Sequence, residues 1–546
     1  MRVTNFMTHN QNLNNIHRNM RHLSRIYEQT TSQKVITRPS QDPLIASRSL
    51  RFRDSLSTIE QHQRNVESGH AWMNVTEAAF FNLLRGDDHG SIFGQIKDEL
   101  LRAANNPTGT LDDVLVMVRA IENLKQQAAV EMNQTHLGRF VFAGWRVDQP
   151  PVLTRALMNE DNETPATHVI TQTFNIRDIE RTYSFQRFPA GDAANHPAGD
   201  ATGIPIMRSV NILKLPFTGA YDPNNPGTNP RTLTFNADPI TGSNDNSPTI
   251  PITDPNLGNL GIFRPDGSPH PPFNIIRMSS SIPAPAGNPD AFNPPDDGVT
   301  IHYIPETGEL VFGNRVRSTF EDGTIIRYEV SNLQAGDLNP FVYFDTVSTI
   351  PRQFETVNGV RQPLSHHWPQ TPEQAIHYEF HHGAPIQVNS LARNVFTDKL
   401  FADLRNLIGF IRSITPPDRR ELEQVFREEG ITGDDLDTRL TEHISEEWQR
   451  IRRIINSRLE NMIRLMDGHS TYATREHTDL GSRMRRVEMY EIRLEQDEGN
   501  ITMLLSDNED VDMTWALIQQ AIAEAAFQGA LRVIANNVQL SLVNFV

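Results

Sequence analysis

The sequence predicts a mainly α-helical protein with β-structure inserted in its middle. We expect terminal coiled-coil helices, an α-helical rod, and one or two antiparallel β-domains inserted into that rod. Apolar residues recur at spacings of three and four near both ends of the chain, which is the period of an amphipathic helix. By contrast, 29 of the 35 prolines lie between residues 151 and 390, where short β-type runs alternate with turn residues.

Each end of the chain carries a narrow apolar stripe on one side of a predicted helix. The first stripe consists of Leu13, Ile16, Met20, Leu23 and Tyr27, and the last of Trp515, Ile518, Ile522, Ala525, Gly529 and Val533. Such a stripe needs a partner, either the opposite end of the chain or a neighbouring molecule. Residues 1–64 carry ten Lys/Arg against four Asp/Glu, and residues 506–546 carry one against five. We therefore predict that the two ends belong to one assembly interface.

The helical flanks continue inward from both ends. Lys125 interrupts the apolar stripe of a helix that begins near residue 111, where it either sets the register or extends outward. A further helix is predicted from 436 to 466, with Asp467 and Gly468 as its end. Together the flanks predict a helical rod into which the β-region is inserted.

The centre of the chain contains the β-type runs. We predict strands at 167–175, 182–188, 206–214, 231–236, 299–304, 308–313, 324–331, 341–349 and 376–381. Residues 237–298 are rich in Pro, Gly, Asn and Asp and are expected to be mostly loop. The predicted domains are a terminal coiled coil (1–40 with 506–546), a helical rod (41–145 with 391–505) and an inserted β-rich region (146–390).

The segment after the first helix contains two prolines that shape a turn. Pro39 and Pro43 each exclude a continuing helix and favour an extended residue before them. Asp42 is placed to cap a helix that Pro43 opens at its first position. From the residues alone, a plain helix–turn–helix connection explains this segment as well as any special role.

Composition excludes several classes of protein. The net charge of −17 and the pI near 5.6 argue against general binding to nucleic acid or to a membrane surface, which needs a basic face. The absence of cysteine excludes disulfides, thiolate metal sites and a Cys nucleophile. The first twenty residues lack the apolar segment of a secretory signal, and no run reaches the roughly 18–20 apolar residues of a membrane span.

The sequence predicts no catalytic residues, no metal ligands and no cofactor, and therefore no enzyme. Phosphate-binding loops, nucleophile elbows and zinc-protease motifs are missing. Histidines cluster at positions 366, 367, 377, 381 and 382. Apart from Glu379, no acidic or cysteine partner lies at ligand spacing, so they are better explained as surface residues than as a metal site.

Four segments resemble the bacterial flagellin superfamily. The turn and the S-x-D-P-x-x-A-S motif at 40–47 resemble the junction after the first helix of that family. LGRFVFAGW at 137–145, EDVDMTWA at 509–516 and LSLVNFV at 540–546 resemble segments of its hook–filament junction members, known as hook-associated protein 3. The last segment adds Leu540 and Phe545 to the expected assembly interface. The resemblance covers roughly residues 1–150 and 470–546.

The resemblance implies a structural subunit of the bacterial flagellum that joins hook to filament by stacking its terminal helices. It implies self-assembly into a helical ring, the preceding hook-associated protein and flagellin as partners, and an export chaperone. The expected location is the extracellular flagellum, or the periplasm where the flagellum is internal, reached by type III export without a cleavable signal. One alternative is a flagellin-type filament subunit. Another is a surface hydrolase or glycan-binding protein that acts through its β-region, although residues 151–390 contain no constellation of catalytic residues.

Overall fold

Helices form both flanks of the chain and strands fill its middle, so the predicted fold class is confirmed. The computed structural model describes residues 5–85, 90–105, 111–154, 167–186, 206–218, 233–234, 261–268, 270, 273–278, 291–292, 294–305, 307–331, 333, 335–357, 360–368, 374–414, 416–428 and 430–543. Among the described helices, none combines the length and apolar character needed to cross a membrane.

The helices follow the apolar periodicity. They are α1 (Asn5–Ser32), α2 (Pro43–Leu84), α3 (Ile92–Asn105), α4 (Leu111–Met132), α5 (Asn314–Arg317), α6 (Pro340–Tyr343), α7 (Ala392–Val395), α8 (Asp398–Ser413), α9 (Arg419–Glu428), α10 (Asp434–Glu509) and α11 (Met513–Val543). A short 3-10 helix covers Ile176–Asp178.

The predicted end of the long helix at Asp467 and Gly468 is wrong, because α10 continues without a break to Glu509. A glycine inside a helix costs only about 1 kcal/mol relative to alanine. The helix bears this cost because other residues along its length, such as Ile455, Leu459 and Leu480, are buried. A Cβ built on Gly468 meets nothing within 4 Å, so crowding does not explain the glycine.

The strands lie mainly between the helical flanks. They are β1 (Thr135–His136), β2 (Arg139–Phe140), β3 (Thr167–Phe174), β4 (Glu180–Gln186), β5 (Ile206–Lys214), β6 (Leu233–Thr234), β7 (Gly261–Phe263), β8 (Asn274–Arg277), β9 (Thr300–Ile304), β10 (Glu309–Phe312), β11 (Thr324–Ser331), β12 (Asp345–Val357), β13 (Val360–Trp368), β14 (His377–Glu379) and β15 (Pro385–Gln387).

These strands build two larger sheets within the described residues. One has the order β4-β5-β10-β9-β8, and the other has the order β13-β12-β3-β11-β6, with β7 also paired to β11. The pairs are antiparallel except β8 with β9, which is parallel. The pairs β1-β2 and β14-β15 form separate two-stranded sheets.

Two sequence predictions in the β-region need correction. The segment 237–298, expected to be mostly loop, contributes strands β7 and β8, which are short apolar runs between turn residues. The strand expected at 341–349 begins only at Asp345, because Asn339 caps the short helix α6, accepting the backbone N–H of Phe341 at 3.1 Å. Proline at the first helical position favours this start.

The chain forms two compact units. The first unit comprises residues 1–70, 378–386 and 484–546, and the second comprises 71–377 and 387–483. Helices α2 and α10 therefore contribute residues to both units. The domain boundaries drawn from the sequence stay a prediction.

The second unit has a core of aromatic and aliphatic side chains. Strands β9 and β10 are buried at every position, so both of their faces are covered. Helix α8 packs against α4 and β5. Its buried residues include Leu400, Phe401, Leu404 and Phe410. The β-strands and the helices of this unit therefore share one core.

One network of buried charges joins four elements of the second unit. Lys214 Nζ lies 2.9 Å from both Glu180 Oε2 and Asp403 Oδ1, and His469 Nε2 lies 2.9 Å from Asp403 Oδ2. Burial acts to raise the pKa of the Asp403 carboxyl, but Lys214 and His469 outweigh it and hold this pKa below its ordinary value. The network joins β4, β5, α8 and α10.

Candidate assembly surface on the terminal helices

The two ends of the chain meet at a joint between α1 and α11. Lys34 and Asp510 form an antiparallel bridge. The N–H of Val35 donates to the carbonyl of Glu509 at 2.7 Å, and the N–H of Val511 donates to the carbonyl of Gln33 at 3.0 Å. These bonds satisfy backbone groups just after the end of α1 and in the short break between α10 and α11. They fix the start of α11 next to the end of α1.

Ion pairs reinforce this joint. Glu509 Oε2 lies 3.2 Å from Lys34 Nζ and 2.9 Å from Arg53 Nη2, and Lys34 Nζ also lies 2.8 Å from Asp510 Oδ1. Burial acts to raise the pKa of Glu509, but hydrogen bonds from Arg53, Ser49 and Lys34 outweigh it and hold the pKa below its ordinary value. The hydrogen bond with Asp510 raises the pKa of Lys34. The joint therefore favours the charged forms of Glu509 and Lys34.

From the joint, α1 and α11 run antiparallel and pack against each other. Ile26, Ala516 and Ala523 are buried, with Ala516 and Ala523 only 1% and 6% exposed. The Tyr27 hydroxyl donates to Glu524 Oε1 across the pair. Because its buried residues are alanines spaced seven apart, α11 presents small residues rather than its large apolar stripe to α1.

The predicted stripe of α11 lies on the outward side of this pair. Trp515, Ile518, Val533 and Ile522 are 54%, 54%, 55% and 56% exposed. Positions 522 and 523 differ by about 100° around a helix of 3.6 residues per turn, so one residue separates the exposed face from the buried one. The stripe is therefore free of partners within the described part of the chain.

The stripe of α1 is divided between the two faces. Ile16 and Leu23 are partly buried, whereas Leu13, Met20 and Tyr27 are exposed at intervals of seven residues. The remaining predicted interface positions, the Leu540 side chain and Phe545, lie outside the described residues. The structure thus brings the two predicted stripes onto one helix pair but places most of their large side chains in solvent.

Exposed apolar residues are concentrated in the first unit beyond these stripes. The additional exposed large side chains there are Met7, Leu44, Leu50, Met489, Ile492, Met503, Leu504, Met513, Leu517 and Leu531. Single exposed apolar residues are ordinary on protein surfaces, but a contiguous set marks an interaction surface. These side chains lie on the terminal helices and on the adjoining parts of α2 and α10, and we add them to the residues of the candidate surface.

The turn after α1 contains the predicted residues Pro39, Asp42 and Pro43. Helix α2 begins at Pro43, and Asp42 Oδ1 accepts the backbone N–H groups of Leu44 at 2.9 Å and Ile45 at 3.2 Å. These bonds satisfy N–H groups that a helix start leaves unpaired. Pro39 lies in the preceding turn, so the segment sets where α2 starts within the first unit.

A β-hairpin in the first unit contacts both long helices. Glu379 O accepts a hydrogen bond from Asn65 Nδ2 at 2.8 Å and lies 3.2 Å from His62 Nδ1. The ring of His381 stacks on His62 at 6.4 Å and on Tyr490 at 6.0 Å between centroids. The hairpin therefore fastens α2 to α10 beside the terminal pair.

The other predicted histidines do not form a site in the structure. His377 and His382 are exposed on the hairpin. His366 and His367 lie on β13, and their side chains are outside the described set. Among the residues that the structure describes, no group of three or more His, Cys, Asp or Glu side chains is arranged to hold a metal ion.

Sequence reasoning missed the contacts that hold the terminal pair together. Ala516 and Ala523 carry no signal in an apolar stripe, because alanine is common on every helix face. The opposite charges of the two ends favoured their pairing, but they did not single out Lys34, Arg53 or Glu509.

No protein-family model matches the sequence, and no curated protein matches it. Among solved structures, FlgL from Xanthomonas campestris is 9% identical with a TM-score of 0.27, covering 83% of this chain and 99% of that one. Flagellar hook-associated protein-3 from Legionella pneumophila is 10% identical with a TM-score of 0.27, covering 84% and 97%. The chain resembles flagellar junction proteins.

A further structure, the flagellar junction protein FlgL from Legionella pneumophila, is 10% identical with a TM-score of 0.25. The match covers 86% of this chain and 100% of that one. TM-scores of this size carry no argument about function.

Proposed function

We propose that this chain is a non-enzymatic structural subunit of the bacterial flagellum that joins hook to filament. The observation that carries the proposal is the outward apolar stripe of α11, which lies on a helix pair already closed on its inner face. A stripe with an internal partner would be buried, whereas Trp515, Ile518, Ile522 and Val533 are each more than half exposed. The occupant we propose is the terminal helix pair of a neighbouring subunit.

The energetics favour a polymer over a simple pair. Burying one large apolar side chain stabilises an interface by roughly 1.5–3 kcal/mol, whereas association costs about 4–15 kcal/mol in lost translational and rotational freedom. One or two side chains are insufficient, but a stripe along a helix, completed by the exposed residues Leu13 and Met20 of α1, is enough when each subunit contacts several neighbours. In a ring or filament, each subunit has several neighbours and repeats these contacts with each of them.

The sequence resemblance supplies the particular partners. It implies the preceding hook-associated protein on one side, flagellin on the other, and an export chaperone that covers the stripe before assembly. Export through the flagellar apparatus, with the assembled protein at the extracellular flagellum, is part of the same proposal.

Two adjacent substitutions on α11 test the proposed interface. Ile522→Asp places a carboxylate on the exposed face, and Ala523→Asp places one on the face buried against α1. An unpaired buried carboxylate costs several kcal/mol. We expect Ile522→Asp to leave the helical circular dichroism and thermal unfolding of the monomer unchanged while abolishing sedimentable assemblies, and Ala523→Asp to reduce the helix content of the monomer itself.

The same pair of variants tests the flagellar role in cells that lack the native gene. Ile522→Asp is expected to be secreted normally but absent from isolated hooks, with flagellin released into the medium. Ile522→Ala should weaken incorporation less, because it removes packing without burying a charge. If Ile522→Asp destabilised the monomer as much as Ala523→Asp does, the stripe would have an internal partner and the proposal would fail.

A further inference from the structure

Lys214 is buried between two carboxylates, unlike the other lysines of this chain that have a carboxylate partner. Its side chain is 11% exposed, and the side chains of its partners Glu180 and Asp403 are 12% and 7% exposed. The other lysines with a carboxylate partner are 39–43% exposed. An exposed ion pair is surrounded by water, whereas this amine and its two acids are shielded from it.

The contacts around Asp403 place its carboxyl group against the Lys214 amine. Lys214 Nζ lies 2.9 Å from Asp403 Oδ1 and 2.9 Å from Glu180 Oε2. Asp403 Oδ2 lies 2.9 Å from His469 Nε2, and His469 Nδ1 lies 3.2 Å from Thr397 Oγ1. When the threonine hydroxyl donates to Nδ1, the imidazole carries its proton on Nε2 and donates it to Oδ2. The amine therefore faces one oxygen of the carboxyl group while a hydrogen-bond donor holds the other.

The contacts of Glu180 differ from those of Asp403. Glu180 Oε2 accepts a hydrogen bond from Asn461 Nδ2 at 2.6 Å and is also the oxygen that faces Lys214 Nζ. The amine and the second donor thus share one oxygen of Glu180, whereas they occupy different oxygens of Asp403. A carboxylate beside a reacting amine can take up a proton and return it. The geometry favours Asp403 as the carboxyl group that reacts and Glu180 as the one that moves protons.

In the resting state these groups form an ion pair. Burial acts to lower the pKa of Lys214, but Asp403 and Glu180 outweigh it and raise this pKa above its ordinary value. A neutral amine and a carboxylic acid differ from the ion pair only by one proton moved along the 2.9 Å hydrogen bond to Asp403. Because little water reaches this pair to solvate its separate charges, the neutral pair is closer in free energy to the ion pair here than at the surface.

We propose that Lys214 and Asp403 form an intramolecular isopeptide bond, with Glu180 moving the protons. One proton first passes from Nζ to Oδ1. The lone pair of Nζ then attacks Cγ of Asp403 and forms an N–C bond. One carbonyl electron pair moves onto Oδ2, where the His469 N–H stabilises the negative charge.

Glu180 completes the reaction. Its carboxylate takes a proton from the positively charged nitrogen of the intermediate. The electron pair on Oδ2 re-forms the carbonyl, the bond between Cγ and Oδ1 breaks, and the proton held by Glu180 leaves with the Oδ1 hydroxyl as water. One ammonium and one carboxylate thus become one amide and one water. Nothing is oxidised or reduced, no further reactant is needed, and Glu180 returns to its starting form.

The bond joins strand β5 to helix α8, between residues 189 positions apart in the sequence. A covalent link between distant residues restricts the unfolded chain. It also persists when hydrogen bonds and packing are lost. The low exposure of the site limits the access of water that would hydrolyse the amide. This inference is independent of the proposed assembly surface, because every residue that carries it lies in the second unit.

Mass spectrometry of the purified full-length protein, denatured before injection, tests the proposal. We expect wild type to be lighter than its sequence by the mass of one water. Proteolysis should yield a branched peptide that contains both Lys214 and Asp403. The exposed pair of Lys97 and Asp467, with Nζ 2.6 Å from Oδ1, is the internal control, and its peptides should stay separate. A wild-type mass equal to that of the sequence, with Lys214 and Asp403 in separate peptides, would overturn the proposal and leave an ion pair only.

Matched variants separate the bond from the ion pair. Lys214→Arg keeps a positive charge between the carboxylates, and Glu180→Gln keeps the shape of the side chain but cannot carry the proton. Both should have the mass of their sequence, with circular dichroism like that of wild type, whereas Lys97→Met should still lose one water. The wild-type mass decides whether the bond exists even if a variant does not fold. Complete cross-linking in folded Glu180→Gln would show that Glu180 is not the proton carrier, and a branched peptide joining Lys214 to Glu180 would contradict the choice of Asp403.

Discussion

The two units of this protein treat their apolar residues in opposite ways. Of the largest fully buried side chains among the described residues, all but Phe380 lie in the second unit. The first unit closes its helix pair with Ile26, Ala516 and Ala523, and leaves large residues such as Trp515 in solvent. The second unit therefore completes its own core, whereas the first leaves large apolar side chains exposed.

The same contrast holds for charge. In the second unit, Arg458 is buried with its Nη1 2.8 Å from Glu309 Oε1 and its guanidinium 4.4 Å from the ring centre of Phe410. At the joint of the first unit, the cations Lys34 and Arg53 of the ion pairs remain substantially exposed. Buried pairs are costly to break, and exposed ones are not. Removing an ion pair should therefore destabilise the protein more where the pair is buried than where it is exposed.

The largest effect is expected from breaking the buried pair. Arg458→Ala leaves the fully buried Glu309 carboxylate without its cation, which should lower the free energy of unfolding by about 3–5 kcal/mol. Denaturant unfolding measures this. Arg427→Ala, which removes an exposed pair with Glu423 on α9, is the matched control and should cost less than about 1 kcal/mol. Similar costs for both would mean that Arg458 is hydrated rather than buried.

The joint of the first unit should respond to acid. Because the folded pKa of Glu509 lies below its unfolded value of 4.5, the stability that it contributes is present above pH 4.5 and is lost as pH falls through the folded pKa. Glu509→Gln should remove this dependence and cost about 1.5–3 kcal/mol at pH 7, as expected for hydrogen bonds to a charged group. Amide exchange of α1 and α11 against pH is the measurement. An unchanged acid response in the variant would assign the effect to other carboxyls.

Whereas the charged form of Glu509 stabilises the fold, the charged form of Lys125 destabilises it. Its folded pKa of about 8 lies below the unfolded value of 10.5, so the folded state disfavours the charged form up to pH 8 and the penalty disappears between pH 8 and 10.5. One pKa unit corresponds to about 1.4 kcal/mol. With allowance for partial exposure, Lys125→Met should stabilise the protein by roughly 1–2 kcal/mol at pH 7. Thermal unfolding of wild type and variant at pH 7 and pH 10 should converge at the higher pH.

Periodicity predicted the elements well where one face of an element is buried. Strand β11 was expected at 324–331 and is found there, because Ile326, Tyr328 and Val330 alternate with less buried residues. Short strands such as β7 and β8 escaped prediction, since three or four residues between turn signals carry no period. Their pairing with β11 and β9 depends on contacts distant in sequence.

The candidate surface shows a different limit of sequence reasoning. Periodicity located the stripe of Trp515, Ile518 and Ile522, but a hydrophobic pattern does not state which partner covers it. Within the chain, α11 packs against α1 through Ala516 and Ala523 instead, because small residues let two helices approach closely. Hydropathy therefore identified the exposed apolar face of α11 and missed the face that packs against α1.

The smallest expected effect concerns the start of α2 and compares one helix cap in each unit. Asp42→Ala removes the acceptor for the N–H groups of Leu44 and Ile45, and Asp418→Ala removes the acceptor for the N–H of Arg420 at the start of α9. Each should cost about 1 kcal/mol, and Asp→Asn at either position should cost less, because asparagine is an equally good cap.

If the first unit is held by few internal contacts, Asp42→Ala should also increase amide exchange throughout α1 and the first turns of α2. The same substitution at Asp418 should affect only α9 and the packing of its Phe426 with Leu436. Equal, purely local changes at both caps would show that the first unit is as internally stabilised as the second.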